Sequence, residues 1–223
     1  VVTALHEIKI GDVWPYDLLK QRKRFIEWDD SKNPPRPRGL RWSVIESIPV
    51  HEDIKLGKAS RDKYIENYKQ SIKNVGETGI PTVCYNFMPV VDWIRTNLNF
   101  ELEDGAHALA FDMVEFAAFD MYILKRPGAE KEYNDRIKQL ARDKFGSMSS
   151  EEKYILQKNI IAGLPGGQEG YTLEQFQAKL DQYQNITNEK YRENLAYFLK
   201  EIVPVAEKAG VKLAIHPDDP PKS

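Results

Sequence analysis

Three β-forming runs, residues 1–5, 42–48 and 81–87, begin roughly 40 residues apart, and a helical pattern separates each from the next. That cadence belongs to right-handed βαβ units, so it restricts the chain to an α/β fold with a parallel sheet. A fourth run, residues 211–215, joins the series behind a long helix. The first helix is expected over about residues 14–28, with Leu18, Leu19, Phe25 and Ile26 as its apolar stripe. A second opens at Ser60, a suitable N-cap, and carries Tyr64, Ile65, Tyr68, Ile72 and Val75 at three- and four-residue spacing until Gly79 stops it. The last runs from about Asn188 to Ala209, with Tyr191, Leu195, Phe198, Leu199, Ile202 and Val205 on one side. Gly210 ends it in the left-handed conformation. Residues 29–38 (DDSKNPPRPR), with three prolines and charges of both signs, read as an exposed loop.

Between the third run and the last helix the character changes. Residues 98–187 form a helical and hairpin insertion within a single domain that spans residues 1–223. Residues 100–111 alternate around Asp104-Gly105, the strongest short hairpin signal, and Ser149 with Glu152 and Thr172 with Gln175 fit capping boxes that open helices. Because the insertion leaves from the carboxyl end of the third strand, it is expected over the face where chemistry occurs, as a lid or a contact in a homo-oligomer. The glycine-rich residues 163–170 (GLPGGQEG) lack the Gly-Lys-Ser/Thr ending of a phosphate-binding loop, which argues against nucleotide. They fit a loop that closes over substrate, or a plain linker.

Composition removes several classes of function. With 223 residues, 41% hydrophobic and 30% charged, the chain can bury one sizeable core. A formal charge of −2 gives no reason to expect nucleic acid or an anionic membrane as partner. No apolar run approaches the roughly 18 residues of a membrane span. A single cysteine, Cys84, excludes an internal disulfide and suits a reducing cytosol. The chain opens on Val1 inside a β-forming run, without an initiator methionine, so its amino end is expected to be incomplete.

Each run of the parallel series ends in a polar side chain: His6, Glu46, Asn86 and His216. Reactive groups of α/β proteins gather at such strand ends, which makes the four candidates for one site. His216 stands out, because Ile215-His216-Pro217-Asp218-Asp219 places an imidazole beside carboxylates at a stiffened turn, a suitable corner for a divalent ion. One histidine is not a metal site, since even catalytic zinc usually takes three protein ligands. Asp219 reads as a solvated turn or an N-cap, and His51-Glu52-Asp53 as a solvated loop triplet. Cys84 reads as a small core residue, and His107 as an exposed residue after a hairpin turn. Asp92 and Arg95 either bind a substrate carboxylate through the guanidinium fork or pair with each other.

Longer strings add a resemblance. Residues 46–55 (ESIPVHEDIK), 64–69 (YIENYK), 84–90 (CYNFMPV), 163–166 (GLPG) with 170–173 (GYTL), and 214–221 (AIHPDDPP) resemble mannonate dehydratase, in order and over nearly the whole chain. The resemblance implies a (β/α)8 TIM barrel of the xylose-isomerase-like kind, with about half of its strands in this chain. It further implies a divalent metal, Mn2+ or Fe2+, and dehydration of D-mannonate to 2-dehydro-3-deoxy-D-gluconate in bacterial hexuronate breakdown in the cytoplasm. In that family the histidine of the Ile-His-Pro-Asp-Asp string is a metal ligand, which transfers onto His216. The other ligands, a cysteine, a histidine and an aspartate, belong to later strands, and Cys84 does not sit in the ligand-cysteine motif. His6, Glu46, Asn86 and Asp218 are then expected around the sugar acid, and the general acid and base outside the chain, which alone is expected to be inactive. Residues 29–38 depart from the family by their length and proline content. Two alternatives stay open: a related barrel isomerase or epimerase, and a non-catalytic module that binds a sugar acid.

Overall fold

The structure, a computed structural model, describes residues 1–91, 93–162 and 171–220. Asp92 and the glycine-rich residues 163–170 therefore lie outside the described residues. In chain order the elements are β1 (Val2–Thr3), α1 (Tyr16–Glu27), β2 (Trp28–Asp29), β3 (Arg36–Pro37), β4 (Val44–Glu46), α2 (Glu52–Lys55), α3 (Arg61–Glu77) and β5 (Thr82–Tyr85). Then come β6 (Asn97–Glu101), β7 (His107–Ala110), α4 (Met113–Ala118), a π-helical turn (Phe119–Leu124), a 3-10 turn (Ala129–Lys131), α5 (Asp135–Ser147), α6 (Ser150–Ala162) and α7 (Leu173–Asp181). The series ends with α8 (Asn188–Lys208) and β8 (Lys212–Ile215). Two compact units result, one of Val1–Pro89 with Asn185–Pro217, the other of Val90–Gln184 with Asp218–Ser223.

The first unit is an α/β layer. Its four strands pair in the order β1-β4-β5-β8, all parallel, as the β-α cadence predicts. Ile45 and Val83 are fully buried on the sheet, and Ile65, Ile72 and Val75 of α3 with Phe198 and Ile202 of α8 cover it. Burying a side chain such as Ile72 contributes about 1.5–3 kcal/mol relative to leaving it in water. Gly210, at φ +68°, turns the chain from α8 into β8, a conformation that costs glycine little. A polar stripe on α3 ties down the loop between β1 and α1. Asn67 Nδ2 donates to the Gly11 carbonyl at 2.8 Å, Ser71 Oγ accepts from the Trp14 N–H at 3.0 Å, and Asn74 Nδ2 donates to the Trp14 carbonyl at 2.7 Å. Residues 67, 71 and 74 share a helix face by their spacing of four and three.

Several local readings change. Phe25 is not part of the buried stripe of α1: it is 71% exposed, whereas Leu19 and Ile26 are buried. Arg38 lies over its ring, 5.9 Å from the centroid. Residues 29–38 are exposed but not structureless, because β2 and β3 pair antiparallel across them. Ser60 stands at the N-cap of α3, yet its hydroxyl donates to Asp53 Oδ2 at 2.6 Å and caps nothing. His51 is no solvated loop residue. Its Nδ1 accepts from the Asp53 N–H at 3.1 Å, capping α2, and its ring stacks on Tyr64 with centroids 3.5 Å apart.

The second unit is mainly helical. The hairpin forms as β6 and β7, antiparallel, with His107 exposed. Both capping boxes are present: Ser149 with Glu152, and Thr172 with Gln175. Its apolar residues gather in two clusters, one around Phe119, Ile160 and Phe176, the other around Ala117, Ala118 and Ala141. Asp120, 2% exposed, takes two bonds of 2.8 Å from the Arg126 guanidinium and one of 2.8 Å from the Tyr133 hydroxyl. The bond to Asp120 holds Arg126 above its ordinary pKa, and burial together with the Asp120 charge pushes the Tyr133 hydroxyl up. Asp219, read as a solvated turn or N-cap, instead accepts the Arg95 fork at 2.6 and 3.2 Å. Arg95 thus binds a carboxylate of the protein itself.

Candidate functional site

Because the four strands of the first unit are parallel, their carboxyl ends share one edge of the sheet. The registers align Glu46 with Cys84, and Cys84 with Ala214, in a row across β4, β5 and β8. One step further, the His216 N–H donates to the Tyr85 carbonyl at 2.7 Å, so the β5–β8 ladder continues into the histidine and fixes its backbone.

The His216 ring is oriented by its own turn. Nδ1 lies 2.8 Å from the Pro217 carbonyl oxygen, which only accepts, so Nδ1 carries the proton and donates. The lone pair of a neutral ring is then on Nε2, 3.8 Å from Glu46 Oε1. A lone pair facing a carboxylate at that separation is a favourable place for a divalent cation. Cys84 belongs to the same row. Burial raises its thiol pKa, and the Glu46 charge raises it further, so the thiol stays protonated near neutrality and is a poor nucleophile there.

Asn86 follows β5 and is 5% exposed, with an Oδ1 that has no hydrogen-bond partner among the described residues. An unsatisfied buried acceptor costs about 1–3 kcal/mol. His6 sits exposed in a turn beyond β1, and Asp218 is exposed and belongs to the second unit. Of the five candidates, only Glu46 and His216 lie within ion-pair distance of each other among the described residues. No group of three or more His, Cys, Asp or Glu side chains that could hold a metal ion occurs among those residues. The donors present thus fit one side of a divalent-ion site, with His216 and Glu46 as two ligands at most. Strand-end reasoning overlooked two features: Cys84 lies in the register row with Glu46, and Lys55, 4% exposed, sends its ammonium to the Met88 carbonyl at 2.7 Å. Register counted from the strand ends exposes the first. The second has no signal in sequence.

A parallel sheet with an imidazole and a carboxylate paired at its carboxyl edge defines an α/β protein that keeps its functional groups at strand ends. The sequence profile described as D-mannonate dehydratase (UxuA) matches residues 1–223, and the chain belongs to that family. It is 55% identical over 222 residues to a mannonate dehydratase of Marinomonas sp. (strain MWYL1), covering 100% of this chain and 54% of that protein. It is 46% identical over 223 residues to a mannonate dehydratase of Saccharophagus degradans, again covering 54% of the relative. The crystal structure of mannonate dehydratase from Streptococcus suis serotype 2 superposes with a TM-score of 0.64 at 39% identity, over 100% of this chain and 46% of that one. The chain therefore spans about half the length of the curated relatives it matches.

Proposed function

We propose that this chain forms part of a D-mannonate dehydratase and that its four parallel strands belong to a (β/α)8 barrel. The observation that carries the reading is His216 Nε2 facing Glu46 across the carboxyl edge of the sheet, in a chain matched along its whole length by the family. The reaction removes the proton at C2 of D-mannonate and expels the C3 hydroxyl as water, leaving 2-dehydro-3-deoxy-D-gluconate. The family setting points to hexuronate breakdown in the cytoplasm. No helix among the described residues is long and apolar enough to cross a membrane.

In this reading His216 holds a divalent ion, Mn2+ or Fe2+, through Nε2. A bound ion of that kind supplies positive charge against the substrate carboxylate and adjacent hydroxyl. With Nδ1–H on the Pro217 carbonyl, Nε2 is the nitrogen left for an ion, and a ring that held an ion there would have no Nε2 proton to give, so His216 is not assigned as the general acid that protonates the leaving hydroxyl. Glu46, Asn86, His6 and Asp218 are assigned to the hydroxyls of the sugar acid. The general acid, the base and the remaining ligands are assigned to the part of the relatives that this chain does not span.

Assay of D-mannonate dehydration in the full-length protein, together with metal analysis, tests this. His216→Ala should lose the bound metal and lower kcat by about 100-fold or more, the usual scale for removing an essential electrostatic group. The 223-residue chain alone should bind Mn2+ weakly and show no turnover. Retained metal and kcat in His216→Ala, or turnover by the chain alone, would sink the assignment. An isomerised sugar in place of the keto-deoxy acid would point to a barrel isomerase instead.

A further inference from the structure

The exit of β5 is anchored from two distant places in the chain. Tyr191 of α8 donates its hydroxyl to the Phe87 carbonyl, and Lys55 at the end of α2 donates its ammonium to the next carbonyl, Met88, at 2.7 Å. Lys55 is itself held. Its Nζ also donates to Glu52 Oε1 at 2.8 Å, and its carbonyl accepts from Asn194 Nδ2 at 2.9 Å. Gly57, at φ +68°, lets the chain pass Asn194, since a Cβ there would come within 2.6 Å of the amide oxygen. The Phe87 ring lies between Tyr191 and Phe198, with centroids 5.2 and 6.0 Å away. Directly before these two anchored carbonyls comes Asn86, whose buried Oδ1 accepts from nothing among the described residues.

A buried amide oxygen without a partner calls for an explanation, and a ligand's hydroxyl supplies one where the neighbouring backbone is held in place. Two anchored carbonyls, next in sequence to Asn86, impose that condition. We propose that Lys55 and Tyr191 are positioning residues that hold the Asn86 Oδ1 as a preformed acceptor for one hydroxyl of a polyhydroxy acid. An acceptor-only oxygen takes a hydroxyl and rejects a carboxylate, so the contact orients the hydroxylated end of the substrate at β5. The Lys55 ammonium suits the task as a compact donor, and the Tyr191 ring adds packing against Phe87 to its hydroxyl's bond. The proposal rests on the reading that Asn86 touches substrate.

A double-mutant cycle on mannonate dehydration by the full-length protein tests it. Asn86→Ala should lower kcat/KM about 100-fold and Tyr191→Phe about 10-fold, the scale of one or two hydrogen bonds in a transition state. In the Asn86→Ala background, Tyr191→Phe should change kcat/KM by less than about 2-fold, because nothing is left to position. Lys55→Met should behave as Tyr191→Phe does. Equal fold-losses of Tyr191→Phe in both backgrounds would overturn the proposal, as would wild-type kinetics of Tyr191→Phe, while leaving the role of Asn86 intact. Wild-type kinetics of Asn86→Ala would instead overturn the reading beneath it. If circular dichroism shows that Lys55→Met is unfolded, Tyr191→Phe decides alone, since it removes one oxygen atom.

Discussion

The sheet-bearing unit and the helical unit are held together over different distances along the chain. In the first, parallel ladders join β1 to β4, β4 to β5 and β5 to β8, and one continuous apolar cluster lies beneath them. Several of its buried and half-buried polar groups serve backbone: Asn67, Ser71 and Asn74 hold the loop after β1, and Lys55 and Tyr191 hold the exit of β5. In the second, apolar residues split into two clusters, and the chief polar contacts are local: Asp120 with Arg126 and Tyr133, Ser149 with Glu152, Thr172 with Gln175. Arg95 with Asp219, and Asn159 with the Thr96 carbonyl, are long-range exceptions. Polar groups in the first unit therefore aim loops at the carboxyl edge of the sheet, whereas in the second they brace helices.

The sharpest way to break that contrast is Asp120→Ala. Leaving Arg126 and Tyr133 without their buried acceptor should cost about 3 kcal/mol. Amide hydrogen exchange should show α4 and the π-helical turn opening while the β4–β5 ladder stays protected. Simultaneous loss of protection in both would show one cooperative body and end the distinction. Ser71→Ala comes next, at about 2 kcal/mol, because it leaves the buried Trp14 N–H without its acceptor. Urea titration should register the loss, with faster exchange confined to the β1–α1 loop. Thr172→Ala is the smallest, at about 1 kcal/mol for a lost N-cap. It should fray α7 and leave the midpoint of the sheet-bearing unit unchanged.

Much of this was legible in the sequence. The parallel direction of the four strands followed from apolar runs separated by helical stripes, and the hairpin and both capping boxes followed from Asp104-Gly105, Ser149 with Glu152 and Thr172 with Gln175. Such signals are local, so they survive without knowledge of the rest of the fold. What escaped depends on partners far away in sequence. The Arg95 fork closes on Asp219, 124 positions on, and His51 turned out to be a cap stacked on Tyr64. Phe25 was misjudged for a related reason. Periodicity marks a stripe, but which of its edges meets the core depends on packing that the helix does not encode alone. Glu46 and His216 could each be named as strand-end residues, while their approach depends on registers that span three strands.

The pairing of β5 with β8 also has a consequence in time. More than a hundred residues separate the two strands, so on a ribosome adding about 5–20 residues per second, β5 waits on the order of ten seconds for its neighbour. His216 arrives with that neighbour, its N–H on the Tyr85 carbonyl. Until then Cys84 stands on the open edge of β5, and the imidazole that faces Glu46 comes last of the four strand-end groups to emerge.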